Sequence, residues 1–171
     1  MDDTKERILY VEELVRNTTG IENFGTYLLK MLEIDAFFLN EDRHTNNIAL
    51  LYEPEQRTYR LCPFFDMGLS LFSDTREEYP LGGSLEAYRK VIQAKPFHRD
   101  FDIQLDAANE LYGSFLKFEM ICSHGADILE ELDGKYRIFT GGDEMVYKKE
   151  EAERVDAVLR YQAGKYRYMF A

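Results

Sequence analysis

The chain has 171 residues, a length typical of one domain, and 45% of its residues are hydrophobic. This composition supports a buried core and excludes a disordered chain. The formal net charge of -11 argues against a broad basic surface, so we expect no direct nucleic-acid partner and no membrane partner. A phosphate ligand is compatible with this acidity, because Mg²⁺ bridges carboxylates to phosphates.

Signals for secretion and membrane insertion are missing from the sequence. The first seven residues carry five charges, too many for a signal peptide, and no apolar run approaches the roughly 20 residues of a membrane helix. The two cysteines, Cys62 and Cys122, lie among apolar neighbours, which predicts buried free thiols in a reducing compartment. We therefore expect a cytoplasmic protein.

Two amphipathic helices are predicted at the start of the chain. Residues 4–16 carry apolar side chains at helical spacing, and residues 17–20 are expected to end this helix. Thr19 and Glu22 have the spacing of a capping box for the second helix, which is predicted to end near Asn40.

An acidic side chain, Asp35, falls on or beside the apolar stripe of the second helix. A buried carboxylate needs hydrogen-bond donors or a cation. In a structural interpretation Asp35 braces the following loop or pairs with Arg43, and in a functional one it belongs to a site.

A hairpin is predicted from strands at 48–52 and 58–62, joined by a polar turn. The two ends of a hairpin lie at the same edge. Asn47 directly precedes the first strand and Asp66 follows the second, so we expect these side chains to lie close together.

The rest of the chain is predicted to be mostly helical. Helical patterns occupy 85–93 and 102–132, with a break near Gly125, and a turn at 140–143 leads into a charged helix running towards 160. No linker divides the sequence, so we predict a single domain over 1–171. Its predicted fold is mainly α (α+β), a helical bundle whose small antiparallel β-hairpin carries the site.

The polar residues around the hairpin have the chemistry that phosphoryl transfer needs. That reaction requires bound Mg²⁺, positioned phosphates and a group that orients the attacking hydroxyl. Asn47 and Asp66 offer oxygen ligands for Mg²⁺, and Asp42 is placed to take the proton of the hydroxyl. In the kinase signature the loop Asp and the metal-binding Asn are also five residues apart, and an Asp-Phe-Gly follows; here Asp66 begins an Asp-Met-Gly. His44 either braces the loop or transfers a proton.

The loop at 42–47 (Asp-Arg-His-Thr-Asn-Asn), the hairpin and the segment 63–71 (Pro-Phe-Phe-Asp-Met-Gly-Leu-Ser-Leu) together resemble the C-terminal lobe of HipA-like serine/threonine kinases. The resemblance covers roughly residues 20–120 in organisation, is specific in these two motifs and is weaker at 94–97. It implies that Asp42 and His44 are catalytic residues, His44 by supporting the loop, and that Asn47 and Asp66 bind the cofactor as Mg²⁺ ligands. It further implies ATP as the phosphoryl donor, a protein substrate, and an antitoxin protein as a partner in a toxin–antitoxin system.

The sequence departs from the ordinary kinase pattern in two respects. Asn40 stands where the catalytic loop usually has His, and the same Asp-x-His-x-x-Asn occurs in lipid kinases and aminoglycoside phosphotransferases. No Gly-rich phosphate loop and no strand Lys precede Asp42, which has only 41 residues before it. We therefore expect the kinase N-lobe to be supplied in cis or in trans, unless the chain is a remnant.

Three hypotheses follow: the catalytic lobe of a protein kinase, a kinase-derived binding module without catalysis, and the lobe of a small-molecule or lipid kinase. Loss of function on Asp42→Asn separates the first from the second. Transfer of phosphate to a non-protein acceptor favours the third.

Overall fold

The computed structural model describes residues 3–115, 138–140, 143–145 and 149–167. These residues form helices and two small antiparallel hairpins, which confirms the α+β class. In chain order the elements are α1 (Asp3–Thr19), α2 (Phe24–Phe38), a 3-10 turn (Thr45–Asn47), β1 (Leu50–Glu53), β2 (Thr58–Leu61), α3 (Leu85–Val91), α4 (Phe101–Tyr112), β3 (Ile138–Thr140), β4 (Asp143–Met145) and α5 (Lys149–Lys165). None of the described helices is long and apolar enough to cross a membrane.

The chain divides into two compact units. The first combines residues 1–73 with 90–116, and the second combines 74–89 with 117–171. The first unit holds α1, α2, the β1–β2 hairpin and α4, together with every predicted site residue. Nothing in this division tests the single domain predicted over 1–171, which stays a prediction.

Helix α2 is the centre of the first unit, where it packs against α1 and α4. It is buried on almost every side, and burial of each large apolar side chain contributes about 1.5–3 kcal/mol. Its fully buried apolar side chains are Phe24, Leu28, Leu29, Met31, Leu32 and Phe37.

The first helix boundary differs from the prediction. Helix α1 continues through 17–19 and ends at Gly20, whose φ of 78° is left-handed and whose N–H donates to the Arg16 carbonyl at 2.9 Å. The predicted capping box is wrong, because the Thr19 hydroxyl donates to the Val15 carbonyl at 2.7 Å. Helix α2 begins after Asn23, whose side chain makes no capping bond.

Helix α4 starts as predicted and ends early. The Asp100 side chain caps its first turn by accepting from the Asp102 N–H at 2.8 Å. Gly113, at a φ of 81°, ends the helix after Tyr112, so the predicted helix at 102–132 is wrong from 113 to 115. Its remainder, with Gly125 and Cys122, lies outside the described residues. Cys62 is a free thiol that is half-buried, not buried.

The helix predicted at 85–93 is confirmed, and it spans Leu85–Val91. The predicted turn at 140–143 falls between β3 and β4, whose register places Thr140 opposite Asp143; residues 141–142 lie outside the described residues. Because 143–145 pair as a strand, the charged helix begins at Lys149, later than predicted. Its buried Arg154 donates to the backbone carbonyls of Tyr79 and Pro80.

Candidate functional site

The hairpin brings together the two segments that carry the predicted site. Leu50 of β1 pairs with Leu61 of β2 at the open end, so the chain enters and leaves at one edge. Just beyond that edge, the guanidinium Nη1 of Arg43 donates to the Asn47 carbonyl at 3.0 Å and to the Phe65 carbonyl at 2.9 Å. One side chain therefore joins the backbone before β1 to the backbone after β2.

Arg43 is held by a buried carboxylate on α2. Its Nε lies 2.7 Å from Asp35 Oδ2 and its Nη2 lies 3.0 Å from Asp35 Oδ1, with neither side chain exposed. Asn40 donates to the same carboxylate at 2.8 Å. Burial raises the pKa of Asp35, and the bonds from Arg43 and Asn40 lower it in part. These contacts confirm the structural interpretation of Asp35 as the brace of the loop.

The loop after α2 and the segment after β2 bring three side chains of metal-binding types close together. One ligand atom each from Asp42, His44 and Asp66 lies within 4.8 Å of the others. Carboxylate oxygens and an imidazole nitrogen at this spacing make the cluster a candidate site for one divalent cation. Asp42 and His44 are half-buried and Asp66 is exposed, which leaves the cluster open to a ligand from solvent.

Asn47 is oriented by the loop itself. Its Nδ2 donates to the Asp42 carbonyl at 2.9 Å, and the residue is only 5% exposed. Since the NH₂ group is used in this bond, Oδ1 is the atom that a hard cation would take. The structure thus places Asn47 against the backbone of Asp42, and its role as a Mg²⁺ ligand stays a prediction.

Two backbone hydrogen bonds connect the segment after Asp66 to the segment before Asp42. The Leu71 N–H donates to the Phe38 carbonyl at 2.8 Å, and the Glu41 N–H donates to the Leu69 carbonyl at 3.2 Å. Asp66 itself has a φ of 53°, a left-handed conformation that non-glycine residues adopt rarely and that clusters at functional sites. The backbone on both sides of Asp66 is therefore held by these two bonds and by the bond from Arg43 to the Phe65 carbonyl.

Sequence reasoning missed one charged member of the site. Lys95, which precedes α4, places its Nζ 3.2 Å from Asp42 Oδ1. The residue is 53 positions away from Asp42 in the chain, so no local spacing indicates the contact. The only sequence signal was the weak family resemblance at 94–97.

His44 lies close enough to Asp42 for an electrostatic contact. Its Nε2 is 3.9 Å from Asp42 Oδ2, beyond hydrogen-bond distance. Its place within the three-residue cluster adds a third interpretation of this histidine, that of a nitrogen ligand. Imidazole suits Zn²⁺, Cu²⁺, Fe²⁺ and Ni²⁺, whereas carboxylates suit Mg²⁺ and Mn²⁺.

Comparison with known protein families, with curated proteins and with solved structures finds no match for this chain. The chemistry of the site is therefore interpreted from its own residues and their geometry.

Proposed function

We propose that the chain is the C-terminal catalytic lobe of an ATP- and Mg²⁺-dependent protein serine/threonine kinase of the HipA-like kind. One observation carries this proposal: Asp42, His44 and Asp66 bring their ligand atoms within 4.8 Å of one another at the mouth of the hairpin. The α+β arrangement of helices and a small hairpin supports the proposal of a kinase-like lobe.

In this reaction Asp42 orients the acceptor hydroxyl and takes up its proton as the oxygen bonds to the γ-phosphorus of ATP, while the bond from that phosphorus to the β–γ bridging oxygen breaks and ADP leaves. Asp66 and Asn47 would hold Mg²⁺, which neutralises phosphate charge when it is bound. Lys95, beside Asp42, supplies a positive charge to the transferred phosphoryl group. His44 supports the position of Asp42 from its other carboxylate oxygen.

A nucleotide-clamping lobe completes such a site, in cis or in trans, and an antitoxin protein is the proposed regulatory partner. The acidic surface, with a net charge of -11, favours a protein acceptor over an anionic lipid surface. A cytoplasmic location agrees with a site that uses ATP.

Cation binding tests the proposal without the second lobe. We expect Mn²⁺, titrated by electron paramagnetic resonance, to bind one site and Mg²⁺ to compete for it. Asp66→Asn keeps the side-chain size and removes the charge, so its Kd should rise about tenfold or more, a loss of about 1.4 kcal/mol or more.

Glu55→Gln in the exposed turn of the hairpin is the matched control, because it removes one carboxylate away from the cluster. Equal Mn²⁺ affinity in the wild-type chain, Asp66→Asn and Glu55→Gln would contradict the proposed site. Once a nucleotide-binding lobe is supplied, Asp42→Asn should abolish transfer of labelled phosphate to protein and leave Mn²⁺ binding measurable.

A further inference from the structure

A cavity of about 440 Å³ lies beside the proposed site, within the first unit. One wall is the exposed face of the first turns of α1, and the other is formed by two loops. The residues that matter for its chemistry are Asp3, Glu6, Arg7, Tyr10, Thr45 and Pro96. Its volume lies within the range of pockets that hold small ligands or side chains.

Both loops of the cavity also carry residues of the proposed site. Thr45 directly follows His44, and Pro96 directly follows Lys95, whose Nζ lies 3.2 Å from Asp42 Oδ1. Three Cα–Cα steps of 3.8 Å limit the separation of Asp42 and Thr45 to about 11 Å. The cavity is therefore within about three extended residues of the acceptor position.

The loop wall at 95–97 is fixed by side chains from two helices. Gln104 of α4 is 1% exposed and donates to the Lys95 carbonyl at 3.1 Å, while its Oε1 accepts from the Phe97 N–H at 2.9 Å. Arg7 of α1 donates to the Phe97 carbonyl at 2.7 Å and to the Pro96 carbonyl at 3.3 Å. The cavity thus has a wall that is already formed without a ligand.

The lining favours a cationic side chain. Asp3 and Glu6 are exposed on the first turn of α1, and neither has an ion-pair partner among the residues that the structure describes. Arg7, the one cation of the lining, already donates to two carbonyls. The ring of Tyr10 is 66% exposed and offers a face for a cation.

We propose that this cavity binds the residues that flank the acceptor hydroxyl, and that it selects a peptide with Lys or Arg within three residues of the acceptor Ser or Thr. This inference rests on the proposed function, since it names the substrate class of that same site.

Peptide binding measured by fluorescence anisotropy tests the inference without catalysis. The probe is a fluorescein-labelled nine-residue peptide of alanines with a central serine and an arginine two positions to either side. A second peptide carries glutamate in place of the arginines. We expect the arginine peptide to bind at least tenfold more tightly, and Glu6→Lys to weaken its binding at least tenfold.

Glu13→Lys is the matched control, because it makes the same charge change at an exposed position of α1 outside the cavity. Thr45→Arg is a second variant that places a competing cation in the cavity, and it should weaken the arginine peptide as Glu6→Lys does. The inference would be overturned if the two peptides bind equally, if the glutamate peptide binds more tightly, or if neither peptide binds measurably. Equal losses of binding in Glu6→Lys and Glu13→Lys would overturn it as well.

Mn²⁺ affinity, measured in the same variants, separates this inference from the proposed function. Loss of arginine-peptide binding with unchanged Mn²⁺ affinity in Glu6→Lys supports the inference. If the chain binds Mn²⁺ through Asp66 but does not distinguish the two peptides, the proposed role of the cavity is refuted and the proposed function is not.

Discussion

At the scale of single residues, the buried pair of Arg43 and Asp35 supports the candidate site without belonging to it. Both side chains are fully buried, and a buried charge is tolerated only when it is paired and hydrogen-bonded. Nη1 of the guanidinium donates to backbone carbonyls on the two segments that carry the site. Loss of this pair should therefore affect both stability and the position of Asp66.

We predict that Arg43→Met or Asp35→Asn alone lowers the free energy of unfolding by about 3–5 kcal/mol, because each leaves an uncompensated buried partner. The double variant Asp35→Leu with Arg43→Met should cost less than the sum of Asp35→Leu and Arg43→Met measured singly. Urea denaturation measures these differences.

The exposed pair of Arg60 and Glu53, at 2.6 Å, provides the control. Glu53→Gln should change stability by at most about 1 kcal/mol, since exposed pairs contribute little. If the buried and exposed variants cost the same, the buried pair is not the brace of the loop.

At the scale of the elements, close packing of three helices depends on a glycine. A Cβ atom at Gly25 of α2 would overlap the ring of Tyr112 on α4 and lie 2.8 Å from Glu12 Oε1 on α1. The Tyr112 hydroxyl donates to Glu12 Oε2 at 2.6 Å, and burial together with that carboxylate raises the pKa of Tyr112. The three helices meet where no larger residue fits.

Gly25→Ala should therefore destabilise the protein by about 1–3 kcal/mol through overpacking, despite the higher helix propensity of alanine. Gly164→Ala in α5 is the matched change, because no atom of the described residues lies within 4 Å of its added methyl group. That variant should gain about 0.5–1 kcal/mol. Opposite shifts in the thermal midpoint of unfolding are expected, and a gain in both variants would refute the contact at Gly25.

At the scale of the whole molecule, acidity sets how the protein responds to salt. The net charge of -11 comes from 32 acidic and 21 basic residues, and like charges oppose the compact state until ions screen them. The proposed cation site would add a second effect, because a ligand that binds only the folded state stabilises it.

We expect NaCl to raise the thermal midpoint modestly and MgCl₂ at equal ionic strength to raise it further. At ten times its Kd the bound cation adds about 1.4 kcal/mol, or roughly 3–6 °C for a chain of this size. The additional shift should disappear in Asp66→Asn and persist in Glu55→Gln. Identical midpoints in the two salts would indicate screening alone.

Local patterns predicted α2, the first hairpin and the role of Asp35, because each depends on periodicity or on residues close in the chain. Prediction failed at Thr19, whose hydroxyl turns back to its own helix, and at Gly113, where a left-handed residue ends a pattern that stays apolar. Lys95 was missed because its contact with Asp42 depends on how the loop before α4 folds. Strand β3 has only three residues, too few for the alternation of apolar and polar side chains that would indicate a strand in the sequence.

The double contact of Arg43 Nη1 also has an entropic consequence for ligands. Asp66 follows Asn47 by 19 positions, and closing a flexible segment of that length costs about 2.6 kcal/mol. The hairpin and the two bonds from Arg43 Nη1 already hold these segments together before any cation binds, so folding offsets this loss of entropy. The proposed site would therefore be preorganised, and a cation would bind without having to order these two segments.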